Sequence, residues 1–505
     1  MEPQERQPEW PLQTMDFDQS TIQDNINWLE NVLRKQMGLT EDVIKDFVMI
    51  VYGDLATVAT IRPAKKQRCG DEGIDSLKCI WPVFGLFHLR MALINIIYVN
   101  HHGGKIAKDF GHLSSMIEKL GLKGFKPDKI TNFRAAEDLL LHAFHSNIAA
   151  WIIEQYPQLG GKEYTQENRR MHTAKILHNM GEEQVQKEVI DPLFIEMFSH
   201  RTRDDRAHDK SAMQRQMFTQ ASQMVTAVAL YQELKKSCRH GRVGRIRMVL
   251  RHILPYFAGS KSHRYTKELI AFQMLERSTT PETFEFILDN LLIKAKLGGW
   301  IEADCHMEHL VRIQKDLYTS KGGPFQWKNM TEHASLLSSL FYELKVTFSD
   351  HITPTKVRGK HCNPSLLNGI DSIAAMLVKS KMMNPDKDIQ SKVTDNNLFD
   401  IGIEKLGDFD LSVVVEMLYG KSLHGEVSNQ HLPSLAAQED PLIGDLEASD
   451  PRDQNSSDQV DTGGGEDEAT ERIERSGQAS RLPMGPPGAD VTALLLRGRN
   501  RQYAL

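Results

Sequence analysis

Arg245-Ile246-Arg247-Met248-Val249-Leu250-Arg251-His252-Ile253-Leu254-Pro255-Tyr256-Phe257 decides the class of this fold. Ile246, Val249, Leu250, Ile253, Leu254 and Phe257 recur at helical spacing and form one apolar stripe, while Arg245, Arg251 and His252 fall on the other side. Similar patterns run through Ala135–Tyr156, Ala212–Lys235, Glu282–Lys296 and Glu332–Lys345. Two short apolar runs read instead as buried strands. One is Phe47-Val48-Met49-Ile50-Val51-Tyr52, closed by Gly53-Asp54; the other is Leu77–Phe84, where Pro82 points to an edge or a bulge. The expected fold is α+β and predominantly α-helical, with a small N-terminal sheet followed by a large helical body.

Composition is consistent with that reading and excludes several others. The chain has 505 residues, 40% hydrophobic and 25% charged, with 61 Lys+Arg against 67 Asp+Glu. That is ordinary globular composition, and the length allows roughly two to four domains. The expected divisions are 1–40, a lead-in and helix; 41–110, a small α/β core element; 111–300, a helical body; 301–425, the helical C-terminal part; and 426–505, a disordered acidic tail. The tail carries SDPRDQNSSDQVDTGGGEDEATER, which has too few aliphatic side chains to offset its ordering entropy. The folded part is expected to end between Tyr419 and Pro433. No apolar run reaches the length of a membrane helix, and the N-terminus has neither the basic start nor the apolar centre of a secretory signal. Cys69, Cys79, Cys238, Cys305 and Cys362 are few, odd in number and widely spaced, as in a reducing compartment. The expectation is an intracellular protein of the nucleus or cytoplasm, not secreted and without a membrane partner.

Candidate chemistry starts at the strands. Asp54 follows an apolar strand and a glycine, where α/β sites place a metal ligand or a base; a plain turn-capping Asp is the alternative. His88 stands at the next strand-to-helix junction, placed to ligate a metal or shuttle a proton, or to serve as a cap or core histidine. In Trp300-Ile301-Glu302-Ala303-Asp304-Cys305-His306-Met307-Glu308-His309-Leu310, Asp304 and Glu308 share one helix face, as do Cys305 and His309. Paired carboxylates suit a hard divalent cation; the alternative is a solvated helix face. The candidate catalytic set is Asp54, His88 and Glu308, and the candidate metal set, for Mg or Mn, is Asp54, Asp304 and Glu308. There is no GxxxxGK[ST], GxGxxG after a strand, GxSxG or HExxH, so P-loop, dinucleotide, α/β-hydrolase and zincin chemistry lack their usual supports.

Charge is unevenly spread. Lys235, Lys236, Arg239, Arg242, Arg245, Arg247 and Arg251 lie close together around Gly241 and Gly244. Such density suits phosphates of DNA or RNA, with Tyr231, Tyr256 or Tyr265 available to stack on bases. A merely solvated helix is the alternative. Arg62-Pro63-Ala64-Lys65-Lys66-Gln67-Arg68 resembles a short nuclear-import patch.

These residues carry a family resemblance. Met15–Ile22, Val51–Thr57, Gly85–Met91, Leu254–Phe257 and Asp304–Leu310 resemble the domain of unknown function numbered 6589, found in multicopy, transposon-like proteins of fungi and invertebrates. The resemblance spans about Pro11 to Lys345 and implies a transposon-derived protein. The order Asp54, His88, helical insertion, Glu308 is also similar to RNase H-like transposases, whose acids hold two metals for attack on a phosphodiester. Those enzymes need a further Asp on an earlier strand, and Asp16 and Asp18 lie in no strand-like run. The resemblance therefore implies an RNase H-like remnant, incomplete or degenerate, and the basic helical region adds the expectation that it binds nucleic acid. A non-catalytic interaction module and an intact metal-dependent phosphoryl transferase are the other two expectations.

Overall fold

Met49, Ile50, Val51 and Tyr52 are all buried, so this run has no solvent face and forms a strand covered on both sides. In the computed structural model, residues 20–45, 48–103, 111–155, 179–198, 216–294, 299–317, 366–383 and 397–419 are described, with a few positions among 12–18 and 340–344. The elements of the N-terminal part are α1 (Ile22–Glu30), β1 (Met49–Gly53), α2 (Leu55–Gln67), β2 (Ile80–Phe84), α3 (Leu86–His101), α4 (Leu113–Leu120) and α5 (Phe133–Gln155). Then come α6 (Asp191–Phe198), α7 (Gln216–Arg239), α8 (Val243–Gly259), α9 (His263–Ser278), α10 (Pro281–Asp289), β3 (Leu292–Lys294), β4 (Trp300–Glu302) and α11 (Ala303–Leu317). Three helices complete the described chain: α12 (Leu366–Ser380), α13 (Leu398–Gly407) and α14 (Leu411–Tyr419). The protein is mostly helical, with the expected small sheet near its N-terminus.

β1 and β2 pair in parallel, in register from Met49–Ile80 to Gly53–Phe84. A parallel pair needs a crossover, and α2 supplies it. Pro82 sits opposite Val51 in this two-stranded sheet, an edge position where its missing N–H breaks no ladder. The side chains of β1 alternate between two cores. Met49 and Val51 join Ile26 and Leu29 of α1, Val32 and Leu33 of the turns that continue it, and Ile61 of α2. Ile50 and Tyr52 enter the larger core, which gathers α3, α5, α7, α8 and α9. The Tyr52 hydroxyl donates to the Ile287 carbonyl at 2.9 Å and ties the sheet to α10.

α3 begins at Leu86 and is buried around most of its circumference from Leu89 to Tyr98, packed by α5, α7, α8 and α11. It is a core helix with little solvent face. The larger core draws side chains from 41–110, 111–300 and 301–425 alike. The helical pattern expected over Glu282–Lys296 stops at Asp289. Leu292–Lys294 pairs antiparallel with Trp300–Glu302 instead, because a short apolar run has no helical commitment of its own and takes the ladder offered to it. Most of the expected pattern at Glu332–Lys345, all of the expected boundary beyond Tyr419 up to Pro433 and the expected acidic tail 426–505 lie outside the described residues. Among the described residues no helix is long and apolar enough to cross a membrane.

Candidate functional site

The carboxyl ends of the two parallel strands open onto two helix starts. β1 runs through Gly53 into Asp54, which caps α2: its Oδ1 accepts the Thr57 N–H at 2.7 Å. β2 ends at Phe84, and Gly85 caps α3 without a side-chain acceptor. The acceptor comes from α11 instead. Asp304 Oδ1 takes the Phe87 N–H at 3.1 Å and Oδ2 takes the His88 N–H at 3.0 Å. A β-carbon at residue 85 would collide with this carboxylate, so glycine is what lets α11 reach the start of α3.

The same carboxylate holds the His88 ring. Nδ1 lies 3.0 Å from Asp304 Oδ2, and Nε2 lies 3.7 Å from Glu308 Oε1, one helical turn further along α11. Asp304 is 4% exposed, His88 19% and Glu308 48%, so the cluster runs from core to solvent. Burial pulls the His88 pKa down, but the hydrogen bond and charge of Asp304, with the charges of Asp54 and Glu308, outweigh it and push it up to about 9. At neutral pH the ring is an imidazolium among three carboxylates. His88, Asp304 and Glu308 therefore meet at the carboxyl end of β2, and Asp54, at the end of β1, acts on His88 through its charge. Asp304 is no solvated surface acid, and Asp54 also performs the capping role weighed for it.

Behind His88 lies a second buried network that sequence reasoning did not find. Arg90 pairs with Glu302, and its Nη2 donates to the Tyr231 hydroxyl at 3.3 Å. That hydroxyl donates to Glu137 Oε1 at 2.6 Å, and Glu137 pairs with Lys235. His88 and Arg90 thus face Asp304 and Glu302, two cations and two acids each spaced two residues apart. That complementarity was the available signal. Cys305 sits beside the same acids; burial first, then the Glu302 and Asp304 charges, push its thiol up, away from a thiolate ligand or nucleophile. Among the described residues no group of three or more His, Cys, Asp or Glu is arranged to hold a metal ion.

The basic stretch brackets the turn between α7 and α8. Gly241 makes that turn at φ +65° under the Trp300 indole, where a side chain would be both strained and obstructed. Lys236, Arg239, Arg242, Arg245, Arg247 and Arg251 are exposed, and Lys235 is half-buried against Glu137. Glu233 takes Arg245 at 2.6 Å, and Glu276 takes both Arg247 and Arg251. Tyr231, Tyr256 and Tyr265 are buried in the core and cannot stack on bases; an amphipathic helix turns such residues inward when its opposite face is Arg-rich. The basic side chains of Arg62–Arg68 are tied into the fold. Arg62 grips Glu268 with two hydrogen bonds, Lys65 donates to the Ile80 carbonyl, Lys66 pairs with Glu416, and Arg68 pairs with Glu30 and Asp71.

Fold and site thus define a mostly helical protein built on a two-stranded parallel unit, with a charged cluster at its carboxyl edge and a separate cationic face. The chain matches the model of a family of unknown function (DUF6589) over residues 2–361 and belongs to that family. No curated protein and no solved structure matches it.

Proposed function

We propose that this protein is transposon-derived and binds nucleic acid, DNA or RNA, in the nucleus or cytoplasm, and that its sheet-edge cluster is an incomplete RNase H-like core. The observation that carries the binding reading is the exposed face at the α7–α8 turn. Six exposed cations stand there against two paired acids, Glu233 and Glu276. A patch with such a net excess of positive charge is what releases counterions from a phosphate backbone.

Asp304 supports the degenerate reading of the core. A divalent Mg or Mn ion would be ligated by Asp54, Asp304 and Glu308 and would activate water or a hydroxyl toward a phosphodiester. Asp304 already accepts two backbone N–H groups and the His88 ring. Recruiting it would uncap α3, and the His88 imidazolium would repel the incoming ion. These residues fit a protein-supplied cation better than a metal. Asp304 and Glu308 on the His88 ring, with the Asp54 charge acting on the same ring at the carboxyl edge of parallel strands, favour the second reading, an intact phosphoryl transferase.

The test is a salt titration of the full chain on a generic oligonucleotide. Arg239, Arg242 and Arg245 changed together to Gln should lower the salt slope by about 2–3. Absence of binding at about 20 mM salt would end the reading and favour a non-catalytic protein-interaction module.

A further inference from the structure

We infer that the acidic segment 439–474 of this chain docks on the cationic α7–α8 face and competes there with nucleic acid. The inference rests on the reading of that face as a nucleic-acid surface. Residues 439–474 hold thirteen Asp and Glu against Arg452 and Arg472. The face they would meet keeps about four positive charges after Glu233 and Glu276 are counted. No comparable acidic run occurs elsewhere in the chain.

Tethering makes the contact effective. α14 ends at Tyr419 and packs against α9 and α2, held by the Lys66–Glu416 pair. α9 is also the helix whose Glu276 takes Arg247 and Arg251, so the chain is last described on an element adjoining the cationic face. A random-coil linker with the length of 420–439, twenty residues, has a root-mean-square span of roughly 25 Å. A segment on such a tether acts at an effective concentration on the order of 1 mM. An intrinsic dissociation constant of about 0.1 mM would then weaken nucleic-acid binding about ten-fold.

A zero-length carbodiimide, which condenses a lysine with a carboxylate, tests the contact on the full chain. At about 50 mM salt, mass spectrometry should find Lys236 joined to acids of 439–474 within monomers. The yield should fall at least about five-fold at 0.5 M salt, where the Debye length shrinks to roughly 4 Å. No such link, or a link confined to dimers, would overturn the inference. In a second arm, all thirteen acids are changed to Asn or Gln in the full chain. Its affinity for a generic 20-nucleotide strand should rise about ten-fold at low salt, and an unchanged affinity would also overturn the inference. Links in monomers without oligonucleotide binding by either protein would leave the docking standing and remove the nucleic-acid reading instead.

Discussion

Replacing Asp304 by Asn probes the one side chain that joins the sheet edge, α3 and α11. The exchange keeps the shape of the side chain but removes its charge and turns one acceptor into a donor. Two effects add. One of the two N–H groups at the start of α3 loses its acceptor, a capping loss of about 1 kcal/mol. The larger effect runs through His88, whose pKa stands at about 9 against an ordinary 6.5. The folded value lies above the unfolded one, so the associated stability is fully present below about pH 6.5 and is lost as pH rises through about 9. At about 1.4 kcal/mol per pH unit it amounts to about 3 kcal/mol. Asp304 supplies the first-ranked upward contributions, with Asp54 and Glu308 behind it. With Asp304 gone, burial opposes only the weaker Asp54 and Glu308 charges, so the variant should lose most of this stability, about 3–4 kcal/mol in all at pH 6, capping included. NMR titration of the His88 ring carbon should give a midpoint near 9 in the native chain and at least about one pH unit lower in the variant. Urea unfolding of the native chain and of His88→Asn at pH 6 and pH 9.5 isolates the His88 share. A native midpoint below 7, or one unmoved by Asp304→Asn, would refute the ion-pair reasoning.

Gly85→Ala should cost about 2–3 kcal/mol in urea unfolding, because the new β-carbon collides with the Asp304 carboxylate and forces α11 away from α3. The His88 midpoint should fall in the same variant, and an unmoved midpoint would show that α11 tolerates the shift. Arg62→Met should cost about 3–5 kcal/mol by stranding the buried Glu268 carboxylate, and adding Glu268→Leu should recover most of it in thermal unfolding.

The helical class of this protein is written in residues such as Ile246, Val249, Leu250 and Ile253, because a 3.6-residue period needs only local spacing to declare a buried face. The two strands were legible for the same reason: Met49–Tyr52 and Ile80–Phe84 are short, apolar and bounded by turn residues. Family membership was also carried by local stretches around Asp54, His88 and Asp304. Partners were not legible, because a contact across some two hundred residues leaves no periodic trace. Asp304 reads locally as one acid of a charged helix and becomes the cap of another helix only when α11 lies across Gly85. Arg90 and Glu302, Arg62 and Glu268, and the inward tyrosines were decided in the same way. In each case burial removes water as a competitor, so a charge that would be indifferent on an isolated helix must find its counterpart in the fold.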